Sequence, residues 1–319
     1  MMILLRRARN RAIRAYRTIR SQNLRAPSYT YKRHEAGRVL ELMREFSCSD
    51  PVFAINGKDK THEWARALGV RIPDLLGTYA EVGDLPWEEL PEQFVIKPFR
   101  GSTSMGVFLL QRVDGGWREL RSGRDIRRQD VEREYRDLVA TDAISSAVLV
   151  EKLIVDPRMP GLPPIDYKVY TFFGRVGLIV AKSHERDSAG GGAGFRIFDP
   201  QWRDLSSAFS GVPLDPTIPL PVRRRELLEL ASLVSSAVPR AALRVDLFED
   251  ADGVVLGEIT PEPGGRWIAR QDIDRALGAM WEEAEARLRV RFARAGQLTP
   301  GQEPQPEALL ERSSIRART

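Results

Sequence analysis

Two strand-forming runs, residues 243–249 and 254–260, separated by Asp250-Ala251-Asp252-Gly253, constrain this chain more than any other feature. Aliphatic runs interrupted by a turn that ends in glycine predict an antiparallel hairpin. With a three-residue loop of Ala251, Asp252 and Gly253, the glycine takes the left-handed position that such loops favour. Residue 250 then pairs with 254, and Asp246 comes directly opposite Glu258. Two carboxylates facing each other across a strand pair repel, unless one is protonated or a cation lies between them. A hard divalent ion such as Mg²⁺, held by one or two carboxylates and substrate phosphates, removes the conflict. A loop one residue longer or shorter would turn the acids to opposite faces and leave one of them solvated.

Strand texture begins near residue 93. Runs at 94–97 and 107–110 flank Gly101-Ser102-Thr103-Ser104-Met105-Gly106, and 147–154 reads as a further strand closing in Glu151-Lys152-Leu153-Ile154. After a proline-rich connector at 156–164, runs at 167–173 and 175–181 meet at Gly174. Helical periodicity covers 130–140, 223–237 and 273–294. Nearer the N-terminus, a basic helix over 3–22 is broken at Ala26-Pro27-Ser28, and helical pattern resumes at 35–46. A short strand at 52–55, an Asn56-Gly57 turn and a helix over 60–68 closed by Gly69 follow. Strand runs with helices between them imply α+β or α/β layering.

Composition adds two constraints. The chain has 319 residues and a net charge of +5, with 49 Lys/Arg against 44 Asp/Glu. Eleven of those bases and a single acid, Glu35, lie in residues 1–38, so the remainder is net acidic. This segment is suited to an anionic partner or membrane surface, or to a solvated helix that leans on the acidic body. The single cysteine, Cys48, excludes an intramolecular disulfide and reads as a small packed hydrophobe. The apolar start precedes the arginines, in the reverse order to a secretory signal, so the expected location is cytoplasmic.

Three further pieces carry chemistry. Lys97 ends a strand that enters the 101–106 loop, whose glycines and hydroxyl residues let backbone N–H groups converge on phosphate. No Gly-Lys-Ser/Thr follows and the next element is a strand, so this is not a Walker A loop. The ordinary alternative is a hairpin that only turns the chain. Glu151, Lys152 and Leu153 close a strand before the connector, where backbone groups and an acid could meet a purine, or where the strand simply reaches solvent. Asp166 and Lys168 share one face of a strand, suited to ribose and phosphate or to an ordinary ion pair.

In their order, these pieces resemble an ATP-grasp enzyme. The wording Phe94-Val95-Ile96-Lys97-Pro98, Glu151-Lys152-Leu153, Asp166-Tyr167-Lys168-Val169-Tyr170, Arg244-Val245-Asp246-Leu247 and Gly257-Glu258-Ile259-Thr260-Pro261 is similar to the teichuronopeptide-biosynthesis (TupA-like) branch. Asp59-Lys60 also resembles its lead-in segment. The resemblance implies an α+β fold with two subdomains gripping ATP between antiparallel sheets. The expected divisions are a basic helical arm (1–45), a lead-in (46–91), a small subdomain with the glycine-rich flap (92–155), a large subdomain with the metal hairpin (156–295) and a disordered tail (296–319). It further implies that Lys97, Lys168 and the 101–106 loop contact phosphates, and that Glu151 and the backbone around Lys152 and Leu153 contact adenine. Asp166 would lie near the ribose, and Asp246 and Glu258 would bind Mg²⁺. Thr260 stands where many relatives place Asn, as a weak ligand or a holder of water, and Arg186 resembles an arginine used on the reacting phosphate. The implied activity joins a carboxylate of a uronic acid, glycan or peptide to an amino acid or peptide amine through an acyl-phosphate. No nucleic-acid partner is expected. A catalytically silent ATP-binding module and a polyanion-binding or membrane-surface protein acting through the basic arm are the two competing classes.

Overall fold

The computed structural model describes residues 26–47, 58–101, 104–184, 193–261 and 267–296. Outside the described residues lie the basic helix over 3–22, Cys48, the 52–55 strand with its Asn56-Gly57 turn, Ser102 and Thr103, Arg186 with Gly190–Gly192, and the tail from 297.

Helix α1 (Tyr29–Glu45) starts six residues before the pattern at 35. Ser28 is the reason: its Oγ accepts the Tyr31 N–H at 3.1 Å, capping the first turn. The Ala26-Pro27-Ser28 break is thus also a helix start. Tyr29 is buried and stacks on Trp267 at 5.2 Å between ring centroids, so from this residue onward the expected arm is packed into the body. Helix α2 (Lys58–Ala67) ends at Gly69, whose φ of +68° lets the Val70 N–H return to the Ala65 carbonyl at 2.9 Å.

The smaller sheet contains β1 (Leu75–Tyr79), β2 (Gln93–Pro98), β3 (Phe108–Val113), β4 (Gly116–Glu119), β5 (Asp125–Ile126) and β6 (Val148–Lys152), in the order β1-β6-β2-β3-β4-β5. One face packs Phe94, Ile96, Leu110, Val148 and Val150 under α3 (Arg128–Ala140), through Val131 and Tyr135. Alternation sends Val95, Lys97, Leu149 and Glu151 to the other face.

The larger sheet has the order β12-β11-β7-β8-β9, formed by β7 (Asp166–Phe172), β8 (Arg175–His184), β9 (Ala193–Phe198), β11 (Leu243–Glu249) and β12 (Val254–Thr260). A two-stranded ribbon pairs β10 (Phe209–Ser210) with β13 (Ile268–Ala269). One face of the large sheet, with Tyr167, Val169, Ile179, Val245 and Leu247, lies under α4 (Arg224–Ala237). The other face changes character along its length. Tyr170, Phe172, Leu178 and Val180 are covered by α5 (Gln271–Arg294) and by Tyr29 of α1, whereas Asp166 and Lys168, further back on the same face of β7, are left for a cleft.

The lead-in segment is divided between the two bodies. Ala65 and Val70 join the large core, while Val82, Leu85, Trp87 and Leu90 join the small one. The chain therefore crosses between subdomains twice, and the crossings are tied where the Lys152 N–H donates to the Asp74 carbonyl at 2.9 Å.

Candidate active site

The inner faces of the two sheets enclose a cleft of ≈ 450 Å³. From the small sheet come Lys97, Gly101, Ser104, Met105 and Glu151; from the large sheet come Asp166, Lys168, Asp246 and Glu258. Lys152 and Leu153 do not line it. Lys152 is exposed with its N–H engaged by Asp74, and Leu153 packs on Val95 and Leu120.

On the small-sheet side, Lys97 Nζ forms a short ion pair with Glu151 Oε2. The two are neighbours because β2 and β6 pair Lys97 with Leu149 and Val95 with Glu151, one position apart along the same face. The flap is anchored at its base. Tyr135 Oη donates to the Gly106 carbonyl, and Arg121 donates to the Val107 carbonyl while its Nε holds Glu119 at 3.1 Å. Gly106 has φ +66°, and a Cβ there would lie 2.9 Å from Ile144 Cδ1, so this corner requires glycine.

On the large-sheet side, Asp246 does face Glu258, but by a route different from the expected one. The loop holds four residues, because Glu249 pairs with Val254. Asp250 is drawn into the turn: its Oδ1 accepts the N–H groups of Asp252 and Gly253, both at 2.9 Å, and Arg71 grips its carboxylate. That register alone would set Asp246 opposite Gly257. A bulge between Leu256 and Glu258 restores the pairing of the two acids.

The carboxylates differ in charge environment. Asp246 is 2% exposed and is held by Arg244 at 2.6 Å and by Lys168 at 2.7 Å. Burial works to raise its pKa, but Lys168 and Arg244 outweigh that and hold it below the usual carboxylate range. Lys168 also pairs with Asp166 at 2.6 Å; burial opposes its charge, and the two acids keep its pKa raised. Glu258, 57% exposed at its side chain, stands between the walls of the cleft with Arg244 only at 4.0 Å. Confinement first, then the charge of Asp246, pushes its pKa up. The Thr260 Oγ1 is buried without a hydrogen-bond partner among the described residues.

These residues fit a hard cation. A repelled pair of carboxylates beside an unsatisfied hydroxyl is the oxygen-rich donor set that Mg²⁺ takes together with substrate phosphates. Glu258 is the more available donor, since both Asp246 oxygens already accept from Arg244 and Lys168. Among the described residues no group of three or more His, Cys, Asp or Glu side chains is arranged for a metal, so phosphate and water oxygens would complete the shell.

Arg244 enters the sequence reading only as part of a motif, without a role, and Lys182 does not enter it. Arg244 lies two residues before Asp246 on the same strand face, a spacing that could have flagged it. Lys182 lines the cleft because β8 runs on to His184, beyond the expected strand end at 181. Val180 and Lys182 alternate onto one face, and that continued period was the available signal.

Two antiparallel sheets closing on a cleft of lysines and carboxylates, with a glycine-containing flap on one of them, define an ATP-grasp fold. Residues 41–282 match the TupA-like ATP-grasp family, to which this chain belongs, and by that membership it is an ATP-grasp ligase. No curated protein matches. Among solved structures the chain is similar to D-alanine–D-alanine ligase from Bacillus anthracis, at 20% identity and a TM-score of 0.44 over 74% of this chain and 68% of that one. It is also similar to the ATP-grasp ligase PsnB complexed with minimal precursor (15%, TM-score 0.44, 76% and 65%), less than two thirds of whose length it covers. A third likeness is to D-cycloserine synthetase DcsG (16%, TM-score 0.48, 82% and 81%). At this distance none of the three bears on the substrate. No described helix is long and apolar enough to cross a membrane.

Proposed function

We propose that this protein is a Mg-ATP-dependent carboxylate–amine ligase that forms an amide through an acyl-phosphate. The observation that supports it most is the meeting, in one cleft, of Lys97 from the small sheet with Asp246 and Glu258 from the large one. A substrate carboxylate oxygen attacks the γ-phosphorus of ATP, the bond to the bridging oxygen breaks, and ADP leaves. An amine then attacks the acyl carbon, phosphate departs, and the amine proton is lost to solvent or base.

The chain's own part is placement and charge. Lys97 and Lys168 face the phosphates from opposite walls, where fixed cations in a partly dry cleft offset developing negative charge. Lys97 would exchange Glu151 for a phosphate oxygen, and Glu151 would accept from the exocyclic amine of adenine. Asp166 would lie near the ribose. Arg244, held by Asp246 near Glu258, would fix the orientation of the Asp246 carboxylate from behind. Asp246, Glu258 and Thr260 would hold Mg²⁺, which supplies Lewis-acid neutralisation of phosphate charge. The flap at 101–106 screens the phosphates from water. Arg186 is proposed for the reacting phosphate on sequence alone. By family the carboxylate belongs to a uronic acid, glycan or peptide and the amine to an amino acid or peptide. The basic segment 1–38 supports an added contact with an anionic surface.

The test is phosphate release from Mg-ATP with pools of carboxylates and amines. Release should require both pools and fall at least about 100-fold in Lys97→Ala and Glu258→Gln proteins. Release that needs neither pool would mark an ATPase, and nucleotide binding without any release would mark a silent module.

A further inference from the structure

Ser104 takes a left-handed φ of +62°, which a residue other than glycine holds only where its surroundings impose it. Those surroundings are side chains from outside the flap. Arg121 donates through Nη1 to the Ser104 carbonyl at 3.5 Å and through Nη2 to the Val107 carbonyl, while Tyr135 donates to the Gly106 carbonyl between them. Arg121 is itself fixed from behind. Its Nε donates to Glu119 Oε1 at 3.1 Å, Glu119 Oε2 accepts the Ser122 N–H at 2.7 Å, and Glu119 is 6% exposed. The turn that carries Arg121 closes without the guanidinium. The Glu119 N–H donates to the Arg124 carbonyl at 2.9 Å, and the Gly123 N–H returns to the Glu119 carbonyl at 2.8 Å. Nor does Arg121 line the cleft, whereas Gly101, Ser104, Met105 and Val107 do. The guanidinium thus stands behind the flap and grips two of its carbonyls at once, a fork that a single ammonium does not reproduce. In a planar peptide the carbonyl and the next N–H point opposite ways, so holding the Ser104 carbonyl turns the Met105 N–H away from Arg121.

We propose that Arg121 is a positioning residue for phosphoryl transfer. It holds the flap in the form whose backbone N–H groups meet the ATP phosphates, and Glu119 in turn holds Arg121. The effect on transfer rests on the ligase reading; the hold on the flap does not.

Hydrogen exchange of the full-length protein, read by mass spectrometry on peptides that cover the flap, tests the hold without any turnover. Arg121→Ala should speed flap exchange about tenfold, the loss expected when charge-assisted bonds to carbonyls are removed. Peptides from the large sheet should keep their rates. Guanidinium chloride at millimolar, non-denaturing concentration should slow the exchange again, and Arg121→Lys should recover only part of it. Flap exchange at the parent rate in Arg121→Ala would overturn the proposal. The second measurement is nucleotide affinity. Mg-AMP-PNP binding should weaken about tenfold in Arg121→Ala, while AMP, which lacks the outer phosphates, should change less than about twofold. Equal losses for both nucleotides would mark a general loss of structure and overturn the assignment to the flap. In the ligation assay, kcat should fall at least about tenfold with the carboxylate KM little changed, as misplacement of a reacting group predicts. A parent kcat with a loosened flap would likewise overturn it. Faster flap exchange and weaker Mg-AMP-PNP binding in a protein that forms no amide would remove the ligase reading and leave the hold on the flap standing.

Discussion

At the scale of single residues, Gly257 decides whether the two carboxylates meet. It is the extra residue of the β12 bulge, and a Cβ on it would sit 2.3 Å from Phe248 Cε2. Gly177, beside a register shift in the β7–β8 pairing, stands in the same relation to Phe172, with 2.5 Å to Cε2. In both places an aromatic ring fills the space that a missing side chain leaves. Gly257→Ala should therefore destabilise the protein by about 1–3 kcal/mol, as overpacking does. It should also weaken Mg-ATP binding, because Phe248 lines the cleft and its displaced ring would take up space there. Calorimetric titration of the single variant and of Gly257→Ala with Phe248→Leu checks this; unless the smaller side chain recovers affinity, the steric account is wrong.

At the scale of elements, the proline-rich connector is held by a buried ionic cluster. Arg158 pairs with Asp156 and Glu249, both at 2.7 Å, and donates to the Leu220 carbonyl at 2.7 Å. Glu249 in turn accepts the Val222 and Arg223 N–H groups at the start of α4. One guanidinium thus joins the crossing between subdomains, the end of β11 and the helix beneath the large sheet. Arg158→Met would leave two buried carboxylates, 1% and 3% exposed, without their cation. The expected loss is about 3–5 kcal/mol, read as a lower urea midpoint at an unchanged m-value. A midpoint within error of the parent would show the cluster to be energetically idle.

At the scale of the whole molecule, acid should loosen several joints together. Asp246 on the cleft floor, Asp250 at the hairpin tip, Asp274 between α5 and α1, and Glu119 at the flap base all have depressed pKa values. In each, burial works to raise the value and ionic or hydrogen-bonding partners outweigh it. A depressed folded pKa gives stability that is complete above the ordinary carboxylate value of about 4 and is lost as pH falls through the folded one. Glu258 runs the other way, since its raised pKa removes stability as pH rises through it. The melting temperature should fall steadily from about pH 5 to pH 3. Asp274→Asn should lower it at pH 7 and shrink the acid-induced drop; a flat profile over that range would contradict the account. Thr30 supplies both an N–H and a hydroxyl to Asp274, at 2.8 and 2.7 Å, so this joint also sets where α1 lies on α5.

Local chemistry written into short stretches was legible from the residues alone. The strand pair joined at Gly174, the hairpin at 243–260, the flap between two strands and the capping glycine after α2 each follow from period and turn chemistry acting over a few residues. Asp166 and Lys168 on one face followed from alternation, and the order of the motifs pointed to the family. What the residues could not disclose depends on contacts distant in sequence. Asp246 meets Glu258 only because the grip of Arg71 on Asp250 and the Gly257 bulge shift the register by equal and opposite steps. The neutralisation of Lys97 by Glu151 arises only from the pairing of β2 with β6, strands about fifty residues apart, and the division of residues 58–90 between two cores arises only once both bodies have packed. Periodicity assigns a side chain to a face. The partner on a neighbouring strand, and so the charge that the side chain has left to offer a substrate, is set by packing.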